Sequence, residues 1–243
     1  MFFQEGNISF IEKNGVWVFE QEPMPKVIIT IPHDGLLMNN FGDLFRKRVG
    51  GISVRDINIW PVARDILSVT KVNVVRGLIP RHFIDYNRSE LEAAEDKQWL
   101  GSYNTYHSAI TNLLRCAEDC HGAANCLLLD LHGFKRQPDH GEYDVILGTG
   151  NRTTVLSEVD KQLAEFLETR NYRVFLPKNK PLNGKADAYN GAFTIRHYFR
   201  EHGISAIQIE VNRSFRTKEG EESGKRLSSD FAEFLTNNFS VTS

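Results

Sequence analysis

No stretch of this 243-residue sequence is apolar for long enough to cross a bilayer, and the opening MFFQEGNISFIEKNG has no basic segment leading into an apolar one. A cytoplasmic protein with no membrane partner is expected. Cysteine is scarce: there are three, and none forms a CxxC pair, which argues against a cysteine zinc site. Cys116 and Cys120 in a helical stretch, and Cys126 at the start of a strand, read as small buried apolar residues in a reducing compartment. Positive charge is not in excess either. With 29 Lys and Arg against 31 Asp and Glu, the net charge is −2, which excludes a protein built around nucleic acid. Repeats, low-complexity tracts and Pro/Gly/Ser-rich linkers are missing, so residues 1–243 are expected to form a single domain.

What is present is an alternation of short apolar runs with amphipathic stretches. The first two runs, Ile8 to Ile11 and Val16 to Phe19, flank Asn14-Gly15 and predict a β-hairpin. VIITI (27–31), CLLLDL (126–131) and AIQIEV (206–211) are continuous enough for strands buried on both faces of a mostly parallel sheet. Val72 to Val75, Tyr143 to Leu147 and Tyr172 to Leu176 add further strands. Helical spacing links Leu156, Val159, Leu163, Phe166 and Leu167, with Thr153 or Thr154 as the cap. It also links Tyr103, Tyr106, Ile110, Leu113 and Ala117, and then Leu227, Phe231, Phe234 and Leu235. Strands alternating with helices predict a layered α/β fold, in which ligands bind beyond the carboxyl ends of the strands.

Those ends carry chemistry-bearing residues. The VIITI strand runs into Pro32-His33-Asp34-Gly35, where a histidine could meet a metal or substrate. In CLLLDLHG the two-residue period puts Asp130 and His132 on one side. A carboxylate inside an apolar run needs a partner. Asp130 could orient a metal-bound His132, or it could cap a neighbouring backbone. In AIQIEVNR, Gln208, Glu210 and Asn212 share a face. A desolvated Glu210 would have a raised pKa, suited to a general base, and an ion pair with Arg213 is the other reading. RHFIDYNR (81–88) supplies two guanidinium forks and an amide that could hold a carboxylate or oxyanion. His140 and Glu142 fall on a loop that could line the mouth of the site. Gly148-Thr149-Gly150 is not a phosphate loop, because GxG alone is too common.

In order along the chain, PHDG (32–35), RHFIDYNR (81–88), DLHG (130–133), DVILGT (144–149) and IQIEVNR (207–213) resemble the N-formylglutamate amidohydrolase family. More distantly, the chain is similar to aspartoacylase and the zinc carboxypeptidases. The resemblance implies an α/β fold in three layers: a mixed, mostly parallel central sheet flanked by helices, zinc-carboxypeptidase-like, of the phosphorylase/hydrolase-like kind. It implies one zinc ion per chain, amide hydrolysis of an N-acyl amino acid, and an acidic small-molecule substrate. His33 and His132 would be metal ligands and Glu210 the catalytic glutamate. Arg81 would polarise the scissile carbonyl or grip substrate, and Asn87 and Arg88 would hold a substrate carboxylate. Lys185 and Arg196, in NGK (183–185) and TIR (194–196), resemble the family's later substrate loop.

One departure stands out. Carboxypeptidase-type sites pair a histidine with a glutamate three residues on, and here Leu36 follows His33 at that spacing. A carboxylate from elsewhere must complete the set. The resemblance favours Asp56, ahead of an amphipathic stretch, with Asp34 as the alternative. An N-cap role is the other reading of Asp56. Two histidines and one carboxylate would leave a fourth position for water, as in catalytic zinc sites.

Overall fold

The computed structural model describes residues 2–5, 8–35, 54–135, 142–176 and 189–241. Among the described residues nine strands form one sheet: β1 (Phe2–Glu5), β2 (Ile8–Lys13), β3 (Val16–Gln21), β4 (Val27–Ile31), β5 (Asn73–Gly77), β6 (Leu127–Phe134), β7 (Val145–Gly148), β8 (Val174–Phe175) and β9 (Ser205–Asn212). Their order is β1-β2-β3-β5-β4-β6-β9-β7-β8. The central β5-β4-β6-β9 run is parallel; β1, β2 and β3 form an antiparallel meander joined to β5, and β7 lies antiparallel to β9. The β2–β3 turn is the expected Asn14-Gly15, with φ of 51° and 72°, the left-handed pair that such a turn requires.

The helices are α1 (Trp60–Val69), α2 (Glu90–Ala93), α3 (Leu100–His121), α4 (Val159–Glu168), α5 (Phe193–His202) and α6 (Glu221–Phe239). The strand period sorts the core into two layers. Val27, Ile29, Ile31, Leu129, Ile207 and Ile209 pack on one face with residues of α1, α4 and α6. Ile28, Leu128 and Ala206 pack on the other with Tyr106, Ile110 and Leu114 of α3 and Ile195 and Tyr198 of α5. The result is helix, sheet, helix: the expected three-layer α/β fold with a mixed, mostly parallel sheet. Among the described residues, no helix is long and apolar enough to cross a membrane.

Three expectations need correction. The helix drawn from Leu156 begins later, at Val159, and Leu156 is half exposed. Thr153 and Thr154 do not cap it. Their hydroxyls close the preceding turn on Gly150 and Thr149, and Thr154 also donates to the Ala206 carbonyl of β9. Cys116 and Cys120 are exposed on α3, and only Cys126 is buried. Thr194-Ile195-Arg196, expected on a substrate loop, lies in α5.

Candidate functional site

Strands β4, β6 and β9 deliver Thr30, Asp130, His132 and Glu210 toward their carboxyl ends, on the face that α3 and α5 cover. Register does much of the placement. Thr30 of β4 stands beside Asp130 of β6, and His132 of β6 stands beside Glu210 of β9. Thr30 Oγ1 donates to Asp130 Oδ1 at 2.7 Å, and Asp130 Oδ2 is 2.8 Å from His132 Nε2. The alternation that put Asp130 and His132 on one side therefore ends in a carboxylate–imidazole contact. His33, just past β4, is held in the same way: its Nε2 is 2.6 Å from Asp85 Oδ1 in the loop after β5.

With each Nε2–H given to a carboxylate, the Nδ1 atoms of the neutral rings present lone pairs, and they face each other at 3.1 Å. Asp56 joins them, its Oδ2 lying 3.1 Å from His132 Nδ1 and 3.5 Å from His33 Nδ1. A backbone bond puts it there, Asp56 N donating to the His33 carbonyl at 2.8 Å. Three acceptors this close repel one another unless a positive centre, a proton or a metal ion, lies among them. Tetrahedral zinc with bonds of 2.0–2.1 Å separates its ligands by about 3.3 Å, so the donor types and spacings fit a metal ion. His33, Asp56 and His132 thus form a buried group that could hold one.

Asp34, the alternative third ligand, turns the other way: its Oδ2 is 2.6 Å from Nη2 of Arg76, whose guanidinium sits over the Trp17 and Trp60 rings. Nor does Asp56 cap α1, whose N-cap is Ile59.

Glu210 is buried beside this group. Its Oε1 accepts from Gln208 Nε2 at 2.9 Å, and the Gln208 oxygen in turn accepts from Ala192 N, which fixes that amide's orientation. Burial pushes the Glu210 carboxyl up to about 6; His132 lowers it and Asp56 adds to the rise. The expected alternative partner, Arg213, is exposed. In His132, burial opposes the charged ring, but Asp130, Asp56 and Glu210 prevail and raise its pKa.

Arg81 lies over the group, its Nε 3.3 Å from Asp85 Oδ2 and its Nη1 4.0 Å from Asp56 Oδ1. Arg88 reaches Asp85 at 3.7 Å with nearly half of its side chain exposed. Asn87 is buried: its Oδ1 accepts from Thr194 N and Oγ1 at 2.8 Å each, and its Nδ2 stands 3.1 Å from His132 Nε2. Arg196 is exposed on α5. Lys185 and His140 lie outside the described residues. Glu142 pairs with Arg173 at 2.7 Å.

Two residues received no role from the sequence. Asp85 sits inside RHFIDYNR, and the habit of metal-bound histidines to lean on a carboxylate could have singled it out. Arg216 carried no comparable signal.

Parallel strands ending in a two-histidine, one-carboxylate group beside a buried glutamate define a hydrolase-like α/β protein. The chain is related to the N-formylglutamate amidohydrolases and is an enzyme of the amidohydrolase class; that family's model matches residues 97–216, about half of the chain. An N-formylglutamate amidohydrolase structure from Ralstonia eutropha JMP134 is 17% identical, covers 93% of this chain and 97% of its own, and superposes with a TM-score of 0.71. A gene product from Agrobacterium tumefaciens is 16% identical, with coverage of 92% and 94% and a TM-score of 0.63. A metallo-carboxypeptidase from Burkholderia cenocepacia is 13% identical, covering 97% of this chain and 66% of its own, with a TM-score of 0.48. No curated protein matches.

Proposed function

We propose that this chain hydrolyses the amide bond of an N-acyl amino acid, N-formyl-L-glutamate first, to formate and L-glutamate, with one zinc ion held by His33, Asp56 and His132. The observation that carries this reading is the close triangle of two imidazole nitrogens and a carboxylate oxygen, with Glu210 buried next to it. A zinc ion there would supply a Lewis acid for the scissile carbonyl and for water.

The chain's own residues do the rest. Glu210, with Oε1 held by Gln208, takes the proton of the attacking water on Oε2 and returns it to the leaving amine. Arg81, held over the group by Asp85, stabilises the oxyanion. Arg88, partly exposed, takes the substrate carboxylate through its planar fork. Asn87 acts beside it, anchored to the start of α5 through its Oδ1. Arg196 and Lys185 are assigned to the acidic substrate as well. The alternative is a non-catalytic protein that binds an acidic metabolite, the reading that the missing glutamate ligand would favour; the nearness of Asp56 to both imidazoles supports catalysis instead. Three free thiols suit work in the cytoplasm.

The test is metal analysis joined to a formate-release assay on N-formyl-L-glutamate, beside a panel of N-acyl amino acids. One zinc per chain and preference for the formyl compound are expected. With Glu210 near 6, kcat/KM should rise with pH and level off above about 6. Zinc-free protein of full activity would end the proposal.

A further inference from the structure

Arg216 is buried, and its guanidinium lies against Gly133 so closely that a Cβ there would come within 2.2 Å of Cζ. Only glycine leaves room for it. Among the described residues the guanidinium donates to three backbone carbonyls: Val211 from Nε at 3.1 Å, Phe134 from Nη2 at 3.1 Å, and Ile57 from Nη1. Val211 directly follows Glu210, Ile57 directly follows Asp56, and Phe134 lies two residues beyond His132. One planar fork thus ties three chain segments, remote in sequence, each next to a residue of the site. Asn58 Nδ2 closes the arrangement by donating to the Arg216 carbonyl at 2.9 Å. Burial works against the cation, and the negative charge of Asp56 and Glu210 offsets part of that cost. An ammonium group could not span three carbonyls lying in different directions around one plane.

We propose that Arg216 is a positioning residue, which sets the spacing of Asp56, His132 and Glu210 through their backbone neighbours. The effect on turnover rests on the amidohydrolase reading; the effect on metal affinity rests on the ligand group alone. The test compares wild type, R216K, R216Q and, as a control, R213Q at the exposed Arg213. Zinc affinity is read by competition with a chromophoric chelator, activity by steady-state formate release, and folding by thermal melting. R216Q and R216K are expected to lose about 10- to 100-fold in zinc affinity and in kcat, with KM changed by less than about threefold. R213Q should match wild type. A folded R216Q with wild-type zinc affinity and kcat overturns the proposal, as does a loss confined to the melting temperature. If R216Q does not fold, R216K is judged by the same criteria. Wild type that binds zinc but releases no formate removes the formyl-substrate reading and leaves the affinity comparison to decide on Arg216. Wild type that binds no zinc overturns both.

Discussion

Two carboxyl groups of the site stand close together and are tuned in opposite directions. In the metal-free protein burial would raise Asp56, but protons shared with His132 and His33 outweigh it and hold the group low, as the proposed ligand role requires. Among the described residues Glu210 meets one amide donor, Gln208, and its burial leaves it near 6, as the proposed base would require. E210Q should therefore keep zinc and lose two or more powers of ten in turnover. The same change should stabilise the metal-free protein. A pKa raised from 4.5 makes ionised Glu210 a cost that grows from about pH 4.5 to 6 and persists above, so the gain at pH 7 is up to about 2 kcal/mol by denaturant unfolding. Asp34 gives a contrast one residue from His33. D34N strands a buried Arg76 and should cost about 3–5 kcal/mol of stability while zinc stoichiometry stays at one, and loss of zinc would reinstate Asp34 as a ligand.

At the scale of elements, α3 and α5 meet around His107, whose Nδ1 is 2.8 Å from Tyr198 Oη and whose Nε2 is 3.0 Å from the Tyr86 carbonyl. Burial lowers its pKa to about 4. A histidine kept neutral in the fold but free to charge when unfolded supports stability above about 6.5, and that support is lost as pH falls toward 4. H107Q should flatten this part of the stability profile, measured by urea unfolding between pH 4 and 7. Among the elements, the buried strands were the most legible, because their apolar runs admit little else. The pairing of Asp130 with His132 followed from the two-residue period. Helix α5 was hidden, since Phe193, Thr194, Ile195 and Tyr198 are modest helix formers held by packing of Ile195 and Tyr198. Asp56 could be named only through resemblance, because a backbone bond to His33, 23 positions away by number, is what carries it to the site. Arg216 was invisible for a related reason: its partners are carbonyls, which every residue has.

For the whole molecule, the candidate ligands come from a loop after β4, a segment before α1 and the strand β6, so a bound ion would tie three parts of the fold together. Zinc at about 100 times its dissociation constant adds about 2.7 kcal/mol, or about 5–10 °C in melting temperature for a domain of this size. A chelator should reverse that shift, and H132A should abolish it; an unchanged melting curve in wild type would count against a folded-state metal site.

The order of the strands also has a consequence for synthesis. Strand β9 lies between β6 and β7, although it is the last strand in the chain. While the ribosome is still short of residue 205, β6 exposes an unpaired edge of leucines, and the proposed base Glu210 is not yet made. Nascent chains stalled before β9 should be the aggregation-prone species, and the enzyme's centre closes only when this late strand slots into the middle of the sheet.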